Sequence, residues 1–121
     1  MKSGKSDDIA NSSAPFADAL RDLMEERRMS YRRLATRTKL SAGYLNHLAC
    51  GTRPVPANQV VKVIARALRV KPEYFFEYRQ RRLRDELYRY PELADQLYDF
   101  IIADKPAPRD FRSVLDTARK K

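Results

Sequence analysis

The chain has 121 residues, of which 25 are Lys or Arg and 16 are Asp or Glu, so its formal net charge is +9. This length allows one domain with an extension, and the basic charge suits an anionic partner. The single cysteine excludes an internal disulfide, and no apolar run approaches the roughly 20 residues of a membrane span, so we expect a soluble, intracellular protein.

The amino-terminal part divides into a polar tail and a first helix. Residues 1–14 are rich in Ser, Asp, Lys and Asn, a composition typical of disorder. Pro15 suits a helix start, and apolar residues then recur at helical spacing as far as Arg28. The carboxylates of this helix form a solvated face that is expected to point away from an anionic partner.

Two short helices joined by a tight turn are predicted between Ser30 and Arg53. Ser30 and Ser41 are good N-caps, and Gly51 stands just after the second helix, where glycine is favoured. The inward positions are Leu34, Ala35, Leu45 and Leu48. The outward positions of the second helix are Ala42, Gly43, Asn46 and His47. Such a pair is a helix-turn-helix, the motif with which many proteins read DNA.

Basic residues are concentrated around this helix pair. From Arg27 to Pro72 the sequence contains no Asp or Glu but eleven Lys or Arg residues. A solvated helical surface normally mixes both signs, so this run indicates a surface that faces phosphates. Arg32 and Arg33 lie in the first turn of their helix, where a cation opposes the helix dipole and a phosphate would relieve it. The alternative is a solvated basic face without a partner.

The remaining pattern is helical throughout, and we expect no strand. Asn58 can cap a fourth helix that ends near Arg69, Pro72 opens the next helix, and Phe75 and Phe76 are expected to complete the core. A long charged helix follows. Further helices are predicted from Pro91 to about Ala103 and, after a proline-rich link at residues 105–108, around Phe111 to Ala118.

The carboxy-terminal helices carry more apolar residues than free helices hold in water. They include Leu83, Leu87, Tyr90, Leu93, Leu97, Phe100, Ile101 and Leu115. We expect them to form a homodimer through residues 83–118, since dimers gain affinity from two DNA half-sites. Two alternatives stay open. The tail folds back in a monomer and places Arg79, Arg81, Arg82 and Arg84 along DNA, or it binds a second protein.

The residues of the central segment resemble the lambda-repressor-like family, also called the Cro/CI or xenobiotic-response-element helix-turn-helix family. The resemblance covers about Phe16 to Phe76 and depends on the matching positions Leu34-Ala35, Leu40-Ser41, Tyr44-Leu45, Leu48, Gly51, Ile64-Ala65, Ala67-Leu68 and Val70. It implies an all-α, five-helix domain, which we place at residues 15–78, and the helices predicted from the residue pattern form an extension at 79–121. It also implies that helix Ala42–Cys50 lies in the major groove of double-stranded DNA.

The resemblance places the residues that contact DNA. Those that read base edges are Ala42, Gly43, Asn46 and His47. Those that it places at the DNA backbone are Tyr31, Thr52 and Arg53, and the charges and hydroxyls of the helix pair add Arg32, Arg33, Ser41 and Tyr44 to the predicted backbone contacts. Asn46 can pair with adenine, and His47 can donate to guanine or contact a phosphate. Two positions depart from the family: Lys39 stands where the turn usually has glycine, and Ala42-Gly43 replaces a frequent polar pair.

These inferences predict a sequence-specific transcriptional regulator of the prokaryotic cytoplasm or nucleoid, acting as a repressor that occupies its operator. The alternatives are an antitoxin that binds its toxin through the carboxy-terminal helices, a weakly specific architectural DNA binder, and a protein-interaction module. No catalytic arrangement is evident, so we expect no enzyme activity and no cofactor. A metal site at His47 and Cys50 would need further ligands, and the sequence has no other His or Cys.

Overall fold

The computed structural model describes residues 9–107 and 110–120, and these residues are helical with no strand among them. The α-helices are α1 (Phe16–Glu26), α2 (Tyr31–Thr38), α3 (Ala42–Cys50), α4 (Asn58–Ala67), α5 (Phe76–Arg89), α6 (Pro91–Ile101) and α7 (Phe111–Lys120), with a 3-10 helix at Pro72–Tyr74 before α5. The all-α prediction is confirmed. In this described part of the chain, every helix is too short or too polar to span a bilayer.

The chain divides into two compact units, and the boundary lies after Gln80, within α5. The first unit has one apolar core, to which each of α1 to α4 contributes its inward face. The largest fully buried side chains are Phe75, Leu20, Leu23, Leu34, Leu45, Leu48, Ile64, Leu68 and Val61. Apolar residues spaced three or four apart form one stripe on each helix, which is why these positions meet. The predicted burial of the central leucines is confirmed.

Aromatic residues close this core around the start of α5. The ring of Phe75 lies 4.7 Å from that of Phe16 and 5.1 Å from that of Tyr74, centroid to centroid, and Tyr78 is also buried. Phe76 is 39% exposed, so the prediction that it completes the core is wrong. Phe75 lies in extended backbone just before α5 and is buried, as is Tyr78 within α5. Phe76, the first residue of α5, is exposed, and the guanidinium of Arg79 lies 5.7 Å from its ring centroid.

Residues 9–14, which composition predicts to be disordered, are attached to this core. Ile9 and Ala14 pack against it, and the Ser12 N–H donates to the Tyr74 carbonyl over 2.9 Å. Arg79 donates to the Ser12 carbonyl over 3.0 Å and to two further carbonyls near the 3-10 helix. This use of Arg79 removes it from the residues expected to follow DNA in a monomer. The rest of the predicted tail, residues 1–8, lies outside the described residues.

Two helix ends are stabilised from distant parts of the sequence. Pro15 provides no side-chain cap for α1, and the Glu77 carboxylate instead accepts from the Phe16 N–H over 3.1 Å. A carboxylate suits this end because the helix dipole is positive there. At α4 the N-cap is Ala57 and Asn58 is the first helical residue, so the predicted Asn58 cap is wrong.

The second unit, from Arg81 onward, has little buried surface among its described residues. Ala118 of α7 is buried, and α6 and α7 pack together, but no residue of α6 is buried. Several apolar side chains at the end of α6 are exposed: Tyr98, Phe100, Ile101 and Ile102. Residue 108, the last of the predicted proline-rich link, and residue 109 lie outside the described residues.

Candidate nucleic-acid interface

The turn between α2 and α3 is set by the caps that the sequence predicts. The Ser30 hydroxyl accepts from the Arg33 N–H over 3.1 Å, and the Ser41 hydroxyl accepts from the Tyr44 N–H over 3.0 Å. Both predicted N-caps are therefore confirmed. Lys39 ends α2 with a φ of +63°, the left-handed region that glycine occupies at least cost, and its N–H donates to the Ala35 carbonyl.

Thr38 anchors this turn, a role that the sequence analysis missed. Its side chain is buried, and its hydroxyl donates to the Leu34 carbonyl over 2.8 Å and accepts from the Leu40 N–H over 3.2 Å. One hydroxyl thus joins the last turn of α2 to the residue that leads into α3. The sequence feature that could have predicted this contact is a threonine at the end of the predicted helix, because a threonine hydroxyl in a helix can donate to the carbonyl four residues earlier, here that of Leu34.

The exposed face of α3 contains the four predicted base-reading residues. Ala42, Gly43, Asn46 and His47 are all exposed, whereas Leu45, Leu48 and Ala49 are buried where α3 packs against α1 and α2. At 100° per residue the four exposed positions fall within an arc of about 140°. A Cβ atom added at Gly43 would meet nothing within 4 Å. The start of α3 is therefore open to a ligand, and the protein's own packing does not require glycine there.

Asn46 and His47 each have a neighbour one turn further along the chain. The Cys50 thiol donates to the Asn46 amide oxygen over 3.4 Å. His47 Nδ1 lies 2.8 Å from the Thr52 hydroxyl, and the Thr52 N–H donates to the His47 carbonyl over 3.0 Å. Gly51, with a φ of +78°, makes the turn that brings Thr52 back to His47, as predicted for its position.

Arg21 of α1 fixes the carboxy-terminal end of α3. Its guanidinium donates to the Ala49 carbonyl and to the carboxylate of Asp18. The last carbonyls of a helix lack partners within the helix, and a cation is favoured at that end of the dipole. Arg21 therefore holds α3 in place from within the protein, and no periodicity in the sequence indicates this contact.

The seven residues predicted to contact the DNA backbone fall into two groups. Arg32, Arg33 and Arg53 are exposed and charged. The side chains of the other four are engaged within the protein. The rings of Tyr31 and Tyr44 pack against the core, the Ser41 hydroxyl caps α3, and the Thr52 hydroxyl contacts His47.

Charge is distributed unequally over the first unit. In the described ranges, none of Arg32, Arg37, Lys39 and Arg53 forms an ion pair, so these cations are not compensated by the protein. The exposed carboxylates of the described first unit are Asp22, Glu25 and Glu26 in α1 and Glu73 in the 3-10 helix. The acidic residues and the helix-turn-helix therefore lie on different elements.

The hydroxyl of Tyr74 lies near these carboxylates. Burial, and after it the charge of Asp22, raise the pKa of this hydroxyl above its ordinary value of 10.0.

No metal-binding cluster is found in the described part of the chain, where no three His, Cys, Asp or Glu side chains lie close enough to share an ion. Cys50 is exposed beside Asn46 and has no second cysteine to pair with.

Comparison with known proteins gives one match. No curated protein and no solved structure matches the chain significantly. A family model for a helix-turn-helix domain matches residues 15–74, which run from the residue before α1 to the end of the 3-10 helix. This range contains both capped helices, the Thr38 turn and the exposed face of α3. Residues 15–74 therefore belong to the helix-turn-helix domain family, which is consistent with the predicted resemblance to the Cro/CI-like DNA-binding group.

Proposed function

We propose that this protein is a transcriptional regulator that binds a specific sequence in double-stranded DNA and represses by occupying its operator. The observation that supports it best is the exposed face of α3 with Asn46 and His47, in a domain whose cations Arg32, Arg37, Lys39 and Arg53 form no ion pair within the described ranges. An α-helix fits the major groove of B-DNA, in which each base pair has a distinct pattern of donors and acceptors.

The residues divide into readers and positioning groups. Asn46 presents an amide that can both donate to and accept from adenine, and Ala42 can contact a thymine methyl. Gly43 leaves room for the edge of a base, since a Cβ there would stand in open space. Arg32, Arg33 and Arg53 neutralise phosphates. The hydroxyls of Tyr31 and Tyr44 can add contacts to phosphates, because it is their rings that pack against the core, and the Ser41 hydroxyl can donate its proton while it accepts from the Tyr44 N–H.

Selection from a random pool of double-stranded DNA tests this function. The full chain should enrich one motif, and binding to that motif should weaken steeply as salt is raised, because each neutralised phosphate releases counterions. An architectural binder would give tight binding without an enriched motif. A protein-interaction module would bind neither the motif nor random DNA, and either outcome would contradict the proposal.

Repression by occupancy makes a separate prediction. With the enriched motif placed across a promoter, the protein should reduce transcription in a purified system by an amount that follows occupancy of the site. The same motif placed far upstream should give no effect, since a bound domain blocks only what it overlaps. An increase in transcription from the upstream site would identify an activator.

We further propose that residues 83–118 form a homodimer. No residue of α6 is buried, and Ile101 and Ile102 are 66% and 64% exposed. The helix contains three carboxylates and no Lys or Arg, whereas the second-unit part of α5, residues 81–89, contains four arginines. In a second copy of this unit, the acidic helix α6 can face the arginine-rich residues 81–89 of α5, and the exposed apolar side chains can pack against each other. The unit is also small, and small units bury too little surface to be stable alone.

Sedimentation of the full chain at micromolar concentration tests the dimer. The wild type should sediment as a dimer, and Ile101→Asp should be monomeric with α3 still folded. Gln96→Asp is the matched control, because it adds the same charge to an exposed polar position of α6 and should leave the dimer intact. A monomeric wild type contradicts the dimer. A small protein that copurifies through α6 would instead support the antitoxin alternative.

A further inference from the structure

The outer face of α4 carries cations that do not belong to the helix-turn-helix. Lys62 and Arg66 lie one turn apart on this helix, and Arg69 follows just after the helix ends. All three are exposed, and none of them forms an ion pair in the part of the chain that the structure describes. Like charges one turn apart on a helix repel each other, so folding does not favour this arrangement. We call these three residues the α4 ridge.

Arg69 stands where the backbone would favour glycine. Its φ is +62°, in the left-handed region that glycine occupies at least cost, and the N–H of the next residue, Val70, donates to the Ala65 carbonyl over 3.0 Å. A cation is favoured at the carboxy-terminal end of a helix dipole, but Arg66 already provides one in the last turn of α4. The dipole therefore does not require a second arginine at this costly position.

Two hydrogen bonds connect the end of α4 with the start of α2. Arg27, at the end of α1, donates through Nε to the Leu68 carbonyl over 3.0 Å, directly beside Arg69. Arg33, in the first turn of α2, donates to the Arg28 carbonyl over 3.4 Å. The ends of α1 and α4 and the start of α2 therefore meet at one junction. The positive surface at the start of α2 continues across this junction to the α4 ridge.

The length and the charge of the α4 ridge suit the phosphates of double-stranded DNA. At a rise of 1.5 Å per residue the ridge extends for about 10 Å, and one strand of B-DNA has about three phosphates over that length. The exposed carboxylates closest in sequence to the junction, Glu25, Glu26 and Glu73, form no ion pair with the ridge within the described ranges. The protein itself thus leaves these cations available to an anionic partner.

We propose that the α4 ridge is a second contact surface for DNA phosphates, beyond the base pairs that α3 reads. Because α2 packs against both α3 and α4, a strand that passes the start of α2 can continue along the ridge. Contacts to phosphates add affinity without reading the sequence. This inference depends on the proposed DNA-binding function, and it adds Lys62, Arg66 and Arg69 to the predicted backbone contacts.

Duplexes of two lengths test the ridge with the full chain. Both carry the selected motif, but one ends at the motif and the other continues on each side for about 10 base pairs, one helical turn. In fluorescence anisotropy at one salt concentration, the wild type should bind the longer duplex about 3- to 10-fold more tightly, the effect of one hydrogen bond. The sequence of the added base pairs should not matter, because the ridge contacts no base.

The variant Arg66→Gln removes the central charge of the ridge and keeps a residue of similar helix propensity. It should bind the longer duplex more weakly than the wild type does. On that duplex it should also lower the slope of log affinity against log salt by about 0.9, the value for one phosphate. Its affinity for the shorter duplex should equal that of the wild type. Arg66→Lys is the matched control, because it keeps the charge and should behave like the wild type on both duplexes.

Arg69→Gly separates a role in DNA binding from a role at the end of α4. Glycine adopts the left-handed conformation at lower cost, so this variant should melt at a higher temperature than the wild type. It should also bind the longer duplex more weakly, because the charge is lost. A variant that is more stable and binds the longer duplex as tightly as the wild type would show that Arg69 contacts no phosphate.

The outcomes separate this proposal from the function on which it depends. If the wild type binds both duplexes equally and Arg66→Gln leaves the salt slope unchanged on each, the ridge does not contact DNA and the proposal is wrong, while an enriched motif leaves the proposed function standing. If the wild type enriches no motif, the proposed function fails. The salt slopes of Arg66→Gln and Arg66→Lys on a long random duplex then still decide whether the ridge binds phosphates.

Discussion

Gly43→Ala should stabilise the protein and at the same time weaken its binding to DNA. Gly43 lies in the first turn of α3 with an exposed Cα, and an added Cβ would meet no atom within 4 Å. Its φ is not positive, so alanine fits the existing backbone. Alanine is favoured over glycine inside a helix by about 0.5–1 kcal/mol, and the first turn places this site at the lower end of that range.

The expected gain can be converted into a melting temperature. For a unit of about 80 residues, 1 kcal/mol shifts the midpoint by roughly 4–8 °C, so 0.5 kcal/mol gives about 2–4 °C. Binding should change in the opposite direction. If the edge of a base approaches the Cα of Gly43, a methyl group overpacks that contact and costs about 1–3 kcal/mol of affinity for the selected motif.

Two assays and one control are needed. Thermal unfolding followed by circular dichroism measures the stability, and fluorescence anisotropy with the selected motif measures the affinity. Gln59→Ala is the control, because it raises the helix propensity of an exposed position in α4 and should stabilise the protein without affecting DNA binding. A Gly43→Ala variant that is more stable and binds the motif as tightly as the wild type would refute the close approach of DNA to the start of α3.

Three further predictions concern the turn, the charge and the pH. Thr38→Val should reduce the free energy of unfolding by about 1–2 kcal/mol and weaken motif binding, because the Leu34 carbonyl and the Leu40 N–H lose their bonds to the Thr38 hydroxyl. Thr38→Ser keeps a hydroxyl and should retain both the stability, measured by urea titration, and the affinity, measured by anisotropy. Arg53→Ala should lower the slope of log affinity against log salt by about 0.9 if Arg53 neutralises a phosphate, and an unchanged slope would exclude this. Because the pKa of Tyr74 is raised in the folded state, the neutral hydroxyl contributes its full stability below about pH 10, and this contribution is lost as the pH rises through the folded-state pKa, so Tyr74→Phe should flatten the decline of the free energy of unfolding in urea above about pH 10.

The sequence predicted the helix-turn-helix well because that motif depends on local chemistry. Ser30 and Ser41 cap helices through their own backbone neighbours, and Gly51 adopts the left-handed conformation that its position requires. The exposed face of α3 followed from periodicity alone, since Asn46 and His47 lie opposite the buried leucines. None of these predictions needed knowledge of which distant residues meet.

The contacts that the sequence did not predict connect residues far apart in the chain. Glu77 caps α1 across 61 positions, Arg21 holds the end of α3 across 28, and Arg79 reaches Ser12 across 67. A pattern of polar and apolar residues does not distinguish a charged side chain that bonds to a distant part of the backbone from a charged side chain that is exposed to solvent. For the same reason the arginine-rich start of α5 was considered for DNA binding, although Arg79 contacts backbone carbonyls.

The position of Phe76 was mispredicted for a different reason. The 3-10 helix at Pro72–Tyr74 and the extended residue that follows it bury Tyr74 and Phe75, so that α5 begins with Phe76 exposed and Tyr78 buried. A pattern of apolar residues alone does not predict this change of backbone conformation. Composition also predicted disorder for residues 9–14, although Ile9 is the one large apolar side chain of that segment and it packs against the core. Two apolar residues, Ile9 and Ala14, and two hydrogen bonds at the backbone of Ser12 attach these six residues to a domain that already exists.

The most direct test of the account is the affinity of Asn46→Ala for the selected motif and for random DNA, measured at one fixed salt concentration. Asn46 is exposed on α3 and makes no contact that the core requires, so the variant should fold like the wild type. We expect its affinity for the motif to fall by about 1–3 kcal/mol and its affinity for random DNA to stay the same. Equal losses on both DNAs, or no loss on either, would contradict the claim that this face of α3 reads the sequence.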